Sequence, residues 1–265
     1  ISWGSGDFSG GFASRRVNQF QVLFLATLSS LGLLTVLAVL AGESLPSLSS
    51  TIYAVLAGIS GALGLVALYT ALLKGNAALV APVAGVLGAV VPMIIGIVKA
   101  GSPSSTQQFG FGLALVGIWL VTRSNDADNP YKPGGLGLAV LAGIGFGGFL
   151  GLIALVDQDQ IFAPLVLSKL ASICIAAILV WSSKQSLPSL TSSPVALLSG
   201  FLDAGGNMLY LAATHFTRLD VVAVLASLYP VVTVLLSNIL LKEKSSLLQW
   251  LGVLLCMAAI TLITT

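Results

Sequence analysis

The stretch "AVLASLYPVVTVLLSNILLKEKSSLLQWLGVLLCMAAITLIT" (223–264) holds two long apolar runs joined by the short polar "KEKSS" (242–246). With the residues just before it, it divides into spans over 219–241 and 246–264. Each is about as long as the ~20 residues a helix needs to cross hydrocarbon, and too long and continuous for barrel strands of ~10 residues. A helical hairpin in lipid is the reading. Composition extends it to the whole chain: 265 residues, 57% hydrophobic, 8% charged, mean hydropathy +1.04. A soluble domain carries roughly 25% charged residues. Lipid must therefore be the solvent for most of the surface.

The same stretch has an earlier counterpart. "APVAGVLGAVVPMIIGIVKAGSPSSTQQFGFGLALVGIWLVT" (81–122) aligns with 223–264 without a gap. Ser104, Gln107 and Gly110 fall on Ser246, Gln249 and Gly252. One span earlier, "GLVALYTALLKG" (64–75) resembles "GGNMLYLAATHF" (205–216) around Tyr69 and Tyr210. A self-similar half-chain is the mark of an internal repeat.

Hydropathy predicts spans near 1–14, 20–41, 52–73, 77–99, 107–123, 134–156, 161–181, 195–214, 219–241 and 246–264. The fold expected is all-α integral membrane: ten transmembrane helices, the first truncated, as two inverted five-helix repeats. The repeats occupy 1–123 and 135–265, with a central loop at 124–134 rich in Asp, Asn, Pro and Gly. Five crossings per half make the second half enter from the opposite side, a transporter plan with its site near the midplane.

Other classes recede. A net charge of +2 gives no nucleic-acid footprint. Cys174 and Cys256 lie in separate runs without metal or redox spacing, and His215 is the single histidine. Neither a metal nor a cofactor is expected. The partners expected are membrane lipid and a small-molecule solute.

In "LSGFLDAGGNMLYLAA" (198–213), Asp203, Gly206, Asn207 and Tyr210 share one helical stripe. An acid at the centre of a span costs ~2.5–3.5 kcal/mol unless it meets water or a partner. Lys169, inside its span, either snorkels, or serves as ion partner to Asp203 or Asp7, or offers a site for an anionic group. Trp3, Ser5 and Asp7 form a polar notch in the first span. Pro92 and Pro230 free the carbonyls of Gly88 and Ala226 and can kink their helices, with Ser227 and Tyr229 offering polar contacts. Tyr69 joins the candidate path. Glu43, Asp157, Asp159, Arg218 and Asp220 lie at span ends, where solvation is expected.

Four segments carry a family likeness: "WGSGDF" (3–8), "GNAALVAPV" (75–83), "DVVAVLASLYPVVTVLLSNILLKEK" (220–244) and "LQWLGVLLCMAAITLI" (248–263). Through them the chain resembles the EamA-type branch of the drug/metabolite transporter superfamily. The resemblance implies ten helices, a cavity bounded by spans 1, 3, 4, 6, 8 and 9, and export or exchange of small metabolites. It also implies cytoplasmic termini, whereas the basic residues cluster on the odd-numbered turns, which by the positive-inside rule puts the termini outside. One departure is Lys99-Ala100-Gly101-Ser102, which lacks the acid retained in Lys242-Glu243-Lys244.

The function expected is a secondary transporter, exporter or exchanger, working by alternating access at a prokaryotic inner membrane, with a coupling proton on Asp203 as one option. The alternatives are a non-transporting scaffold or sensor, and a membrane-embedded enzyme acting on a lipid carrier.

Overall fold

The computed structural model describes residues 1–74, 77–122, 135–242 and 245–264, without the side chains of 69, 72–73 and 77–79. The expected central loop thus falls outside the described residues. Eleven α-helices follow in order among the described residues: α1 Ser2–Ala13, α2 Gln19–Leu40, α3 Leu48–Lys74, α4 Ala77–Ala100, α5 Ser105–Thr122, α6 Leu136–Ile153, α7 Phe162–Ser182, α8 Pro194–Thr214, α9 Leu219–Ala226, α10 Tyr229–Leu241 and α11 Leu247–Thr264. No strand occurs among the described residues.

Eight spans among the described residues are long and apolar enough to cross a membrane: α2, α3, α4, α6, α7, α8, α9 with α10, and α11. The protein is an all-helical integral membrane protein. Of the ten spans expected, α1 is short at 12 residues and α5 opens on the polar "STQQ". The ninth is broken: α9 ends at Ala226 and α10 starts at Tyr229, with Pro230 in its first turn. By contrast α4 runs on through Pro82 and Pro92.

Helix starts follow side-chain chemistry. Asn18 caps α2 by accepting from Phe20 N, and Ser193 caps α8 by accepting from Ala196 N. At α5, Ser104 Oγ accepts from Gln107 N and Gln107 Oε1 accepts from Ser104 N, both at 3.2 Å. Ser246 and Gln249 make the same reciprocal pair ahead of α11, at 3.2 and 2.9 Å. Each satisfies two backbone donors that a bare helix end would leave open.

The chain forms two compact units. The first comprises Ile1–Ala62 and Leu152–His215, the second Leu63–Gly151 and Phe216–Thr265. In the first, α2 packs on α7 and α8, and α1 packs on α8. In the second, α5 packs along α11 and α4 along α9, around a core of Phe111, Ile118, Val221, Val224, Val253 and Ile263.

Lipid offers no hydrophobic drive for helices to associate, so close van der Waals approach at small residues has to do it. Gly58 lies directly on the Ser168 carbonyl, and Gly200 directly on the Ala26 carbonyl. Both glycines and both carbonyls are 142 positions apart (58 and 200, 26 and 168). In the second unit Gly110 faces Ala259, Leu262 and Ile263, while Gly252 faces Gly117, Leu120 and Val121, again at a shift of 142. Gln107 Nε2 donates to Ile263 O and Gln249 Nε2 to Val121 O, each at 3.4 Å. In this register Asp203 stands opposite Gly61, Asn207 opposite Leu65, and Tyr210 opposite Leu68, one residue from Tyr69.

Candidate functional site

The polar cluster of the first unit grows from α8. Ser2 Oγ donates to Leu202 O at 2.6 Å and Ser199 Oγ donates to Gly6 O at 2.8 Å, tying α1 to α8 at two levels. Gly6 and Gly206 permit the approach. A Cβ on Gly6 would lie 3.4 Å from Asp203 N, and one on Gly206 would enter the Trp3 ring. Trp3 in turn stacks on Tyr210, with ring centroids 5.7 Å apart and planes at 37°.

Asp203 is the tenth of the 21 residues of α8, at its middle. Lys169 reaches across from α7, placing Nζ 2.5 Å from Asp203 Oδ2. Its side chain is 12% exposed and that of Asp203 38%. The two side chains thus form an ion pair between α7 and α8. Ser30 of α2 donates to the same Oδ2 at 3.4 Å. Asn207, 2% exposed, turns Nδ2 back onto Asp203 O at 2.8 Å, so it holds its own helix's backbone and does not open toward a solute. Asp7, next to Gly6, is exposed and lies within electrostatic reach of Asp203. No hydrogen bond or ion pair to Asp7 occurs among the described residues.

Of the residues singled out in sequence, Trp3, Asp7, Lys169, Asp203, Asn207 and Tyr210 thus gather on α1, α7 and α8 of one unit. Ser5 is on α1, with its carbonyl accepting from Ser9 Oγ at 2.8 Å. Ser227, Tyr229, Pro92 and Pro230 belong to the second unit. There Ser227 ends α9 and its Oγ bonds Ala223 O at 2.7 Å. The side chain of Tyr69 lies outside the described residues.

Sequence reading missed Ser30, Ser199 and Ser2, since serine is unremarkable in a membrane helix. It also misjudged three span-end charges as solvated. Glu43 grips the start of α7: Oε1 accepts from Ile161 N and Phe162 N at 2.9 and 3.2 Å, Oε2 from Phe162 N and Ala163 N at 2.9 and 2.7 Å. An acid suits the positive end of a helix dipole. Asp220 is 0% exposed, bonded by Arg218 Nε and Nη2 at 3.0 and 2.8 Å. Arg218 itself is engaged with Asp220 and with the end of α4. The remaining signal was available in outline, as an acid two residues from an arginine.

A solved crystal structure resembles the chain with a TM-score of 0.78 at 15% identity, covering 99% of this chain and 93% of that one. At that identity the likeness concerns the fold. No curated protein matches. Residues 134–265 match the EamA-like transporter family. With its apolar spans and this match, the protein is a membrane transporter of the drug/metabolite type, and the chain belongs to the EamA-like transporter family.

Proposed function

We propose that the protein is a secondary transporter that moves a small solute by alternating access, with Asp203, Lys169 and Asp7 at its binding site. The observation that carries this is an ion pair, with a second acid beside it, at the middle of helices that otherwise suit hydrocarbon. Ionisable groups at membrane depth are costly and mark solute or ion pathways.

The mechanism needs two related halves. The reading is ten spans in two inverted five-helix repeats, 1–123 and 135–265. Its support is the shared register: contacts at Gly58 and Gly200, and at Gly110 and Gly252, recur 142 residues apart. The ends of α2 and α7 recur likewise, with Gly42 N bonded to Val39 O and Lys184 N to Trp181 O. Halves built alike can exchange arrangements at small energetic difference, which is what rocking between two access states requires. The charged pair breaks the repetition, since Asp203 and Lys169 stand where the first half has Gly61 and Thr27. Architecture is shared and the site is one-sided.

The family likeness favours export or exchange at a prokaryotic inner membrane, with a proton carried on Asp203 or Asp7 as the coupling ion. The test is counterflow in proteoliposomes preloaded with amino acids, sugars, nucleosides or amines. Exchange of at least one class above protein-free vesicles, lost in Asp203→Asn, is expected. Absence of exchange for every class, or full exchange with unchanged pH dependence in Asp203→Asn, overturns the reading.

A further inference from the structure

The charges of the site do not balance. Among α1, α2, α7 and α8, Asp7, Lys169 and Asp203 are the only charged side chains. One lysine faces two acids, so with all three ionised the cluster carries a net charge of −1. A single positive charge brought by a ligand would neutralise it, which matters most where water is scarce.

Access points the same way. Lys169 is 12% exposed and holds Asp203, so its ammonium is withheld from an incoming group. The accessible charges are carboxylates: Asp7, exposed and without an ion pair among the described residues, and Asp203, 38% exposed. An anion would meet these two first. A zwitterion would need the lysine to let go of Asp203. A hard divalent cation such as Ca2+ or Mg2+ wants six or more oxygen ligands, and here Asp203 Oδ2 is already taken by Lys169 and Ser30.

Along the two helices lies an aromatic pair, one turn from Asp7 on α1 and two turns from Asp203 on α8. Trp3 is four residues before Asp7 on α1, and Tyr210 seven after Asp203 on α8; they stack on each other above Gly206. Aromatic faces attract cations and flat apolar bodies.

We propose that the cluster binds a monovalent organic cation, a protonated amine on an aromatic body, with its charge at Asp7 and its body against Trp3, which the buried Tyr210 backs. This names the substrate class of the carrier proposed above and rests on that reading.

The test titrates the full chain in nanodiscs with phenethylammonium, 2-phenylethanol, 3-phenylpropionate and phenylalanine, read by thermal shift and tryptophan fluorescence. Counterflow of the same four is measured in proteoliposomes. Phenethylammonium should bind at least about tenfold more tightly than the others, a difference of about 1.4 kcal/mol. Asp7→Asn should shrink its advantage over 2-phenylethanol to roughly threefold or less, and Asp7→Glu should keep it. If Asp7→Asn does not fold, the four-ligand series on the unaltered chain decides. Equal or tighter binding of the neutral, anionic or zwitterionic probe overturns the cation assignment, and so does no binding of phenethylammonium. Counterflow of one of those other probes then leaves the carrier standing. Selective binding of phenethylammonium with no counterflow of any solute leaves the cation site and removes the carrier.

Discussion

Lys169 Nζ stands 2.5 Å from Asp203 Oδ2 and fastens α7 to α8. The lysine is nearly enclosed while the acid keeps 38% of its side chain exposed, so the two ends of the pair differ in what they risk. Removing the acid strands an ammonium among apolar neighbours. Breaking a fully buried pair costs roughly 3–5 kcal/mol, and the exposed acid reduces this to roughly 1–3 kcal/mol. Asp203→Ala should lower stability by that amount, and Lys169→Ala with Asp203→Ala should lose less than the sum of the single changes. Unfolding of the four proteins in one detergent measures the coupling, and strict additivity would show that the pair contributes nothing.

Gly58 and Gly200 make a second pair of expectations. An alanine at either would drive its methyl into a carbonyl on the neighbouring helix, Ser168 O or Ala26 O. Backbone cannot swing aside as a flexible side chain can, so the helices must separate. Gly58→Ala and Gly200→Ala should each cost at least the ~1–3 kcal/mol of an overpacked core. Gly11→Ala and Gly112→Ala, with nothing within 4 Å, are the controls and should be neutral or gain up to ~1 kcal/mol from helix propensity. Thermal unfolding of the four variants separates close packing from a general intolerance of change.

These glycines show how far the sequence could be read. The spans were legible because hydrocarbon demands long apolar runs, and the register near Gln107 and Gln249 because capping fixes residues at a set spacing. Asp203 and Lys169 announced themselves as charges out of place. The choice of Lys169 between Asp203 and Asp7 was not legible, because it depends on which faces of α7 and α8 meet. Nor was the fate of Glu43 or Asp220: a polar residue at a span end has the same pattern whether water or a helix terminus satisfies it. The break before Pro230 but not at Pro92 was not legible either, since both prolines sit in apolar runs.

Asp157 provides a pH expectation outside the membrane. Ser47 Oγ and Ser50 Oγ donate to its Oδ2 at 2.5 and 2.8 Å, and its own N–H donates to Ser50 Oγ at 2.8 Å. The two hydroxyl donors favour the charged form and hold the carboxyl below its ordinary 3.8. A depressed value in the folded state means stabilisation that is full well above 3.8 and is lost as pH falls through the folded value. Asp157→Asn should therefore melt lower than the parent around pH 6, with the gap narrowing below about pH 4. A gap independent of pH would assign the effect to packing of the loop and not to its charge.

Arg218 acts on the other unit. Its guanidinium grips Asp220 by two nitrogens and also donates to Ala100 O at 3.2 Å and Gly101 O at 2.5 Å, closing the end of α4 onto the start of α9. Gly96 makes room, since any Cβ there would collide with Asp220 N. Arg218→Ala leaves a buried carboxylate without its cation, and a clear loss of stability is expected. Arg218→Lys should recover less than half of it, because one ammonium cannot span a carboxylate and two carbonyls as a planar fork does. Arg218→Ala with Asp220→Asn should be more stable than Arg218→Ala alone, since the amide removes the unpaired charge. Denaturant unfolding of the three variants tests the arrangement, and a lysine as good as the arginine would show that charge alone, without the fork, holds α4 to α9.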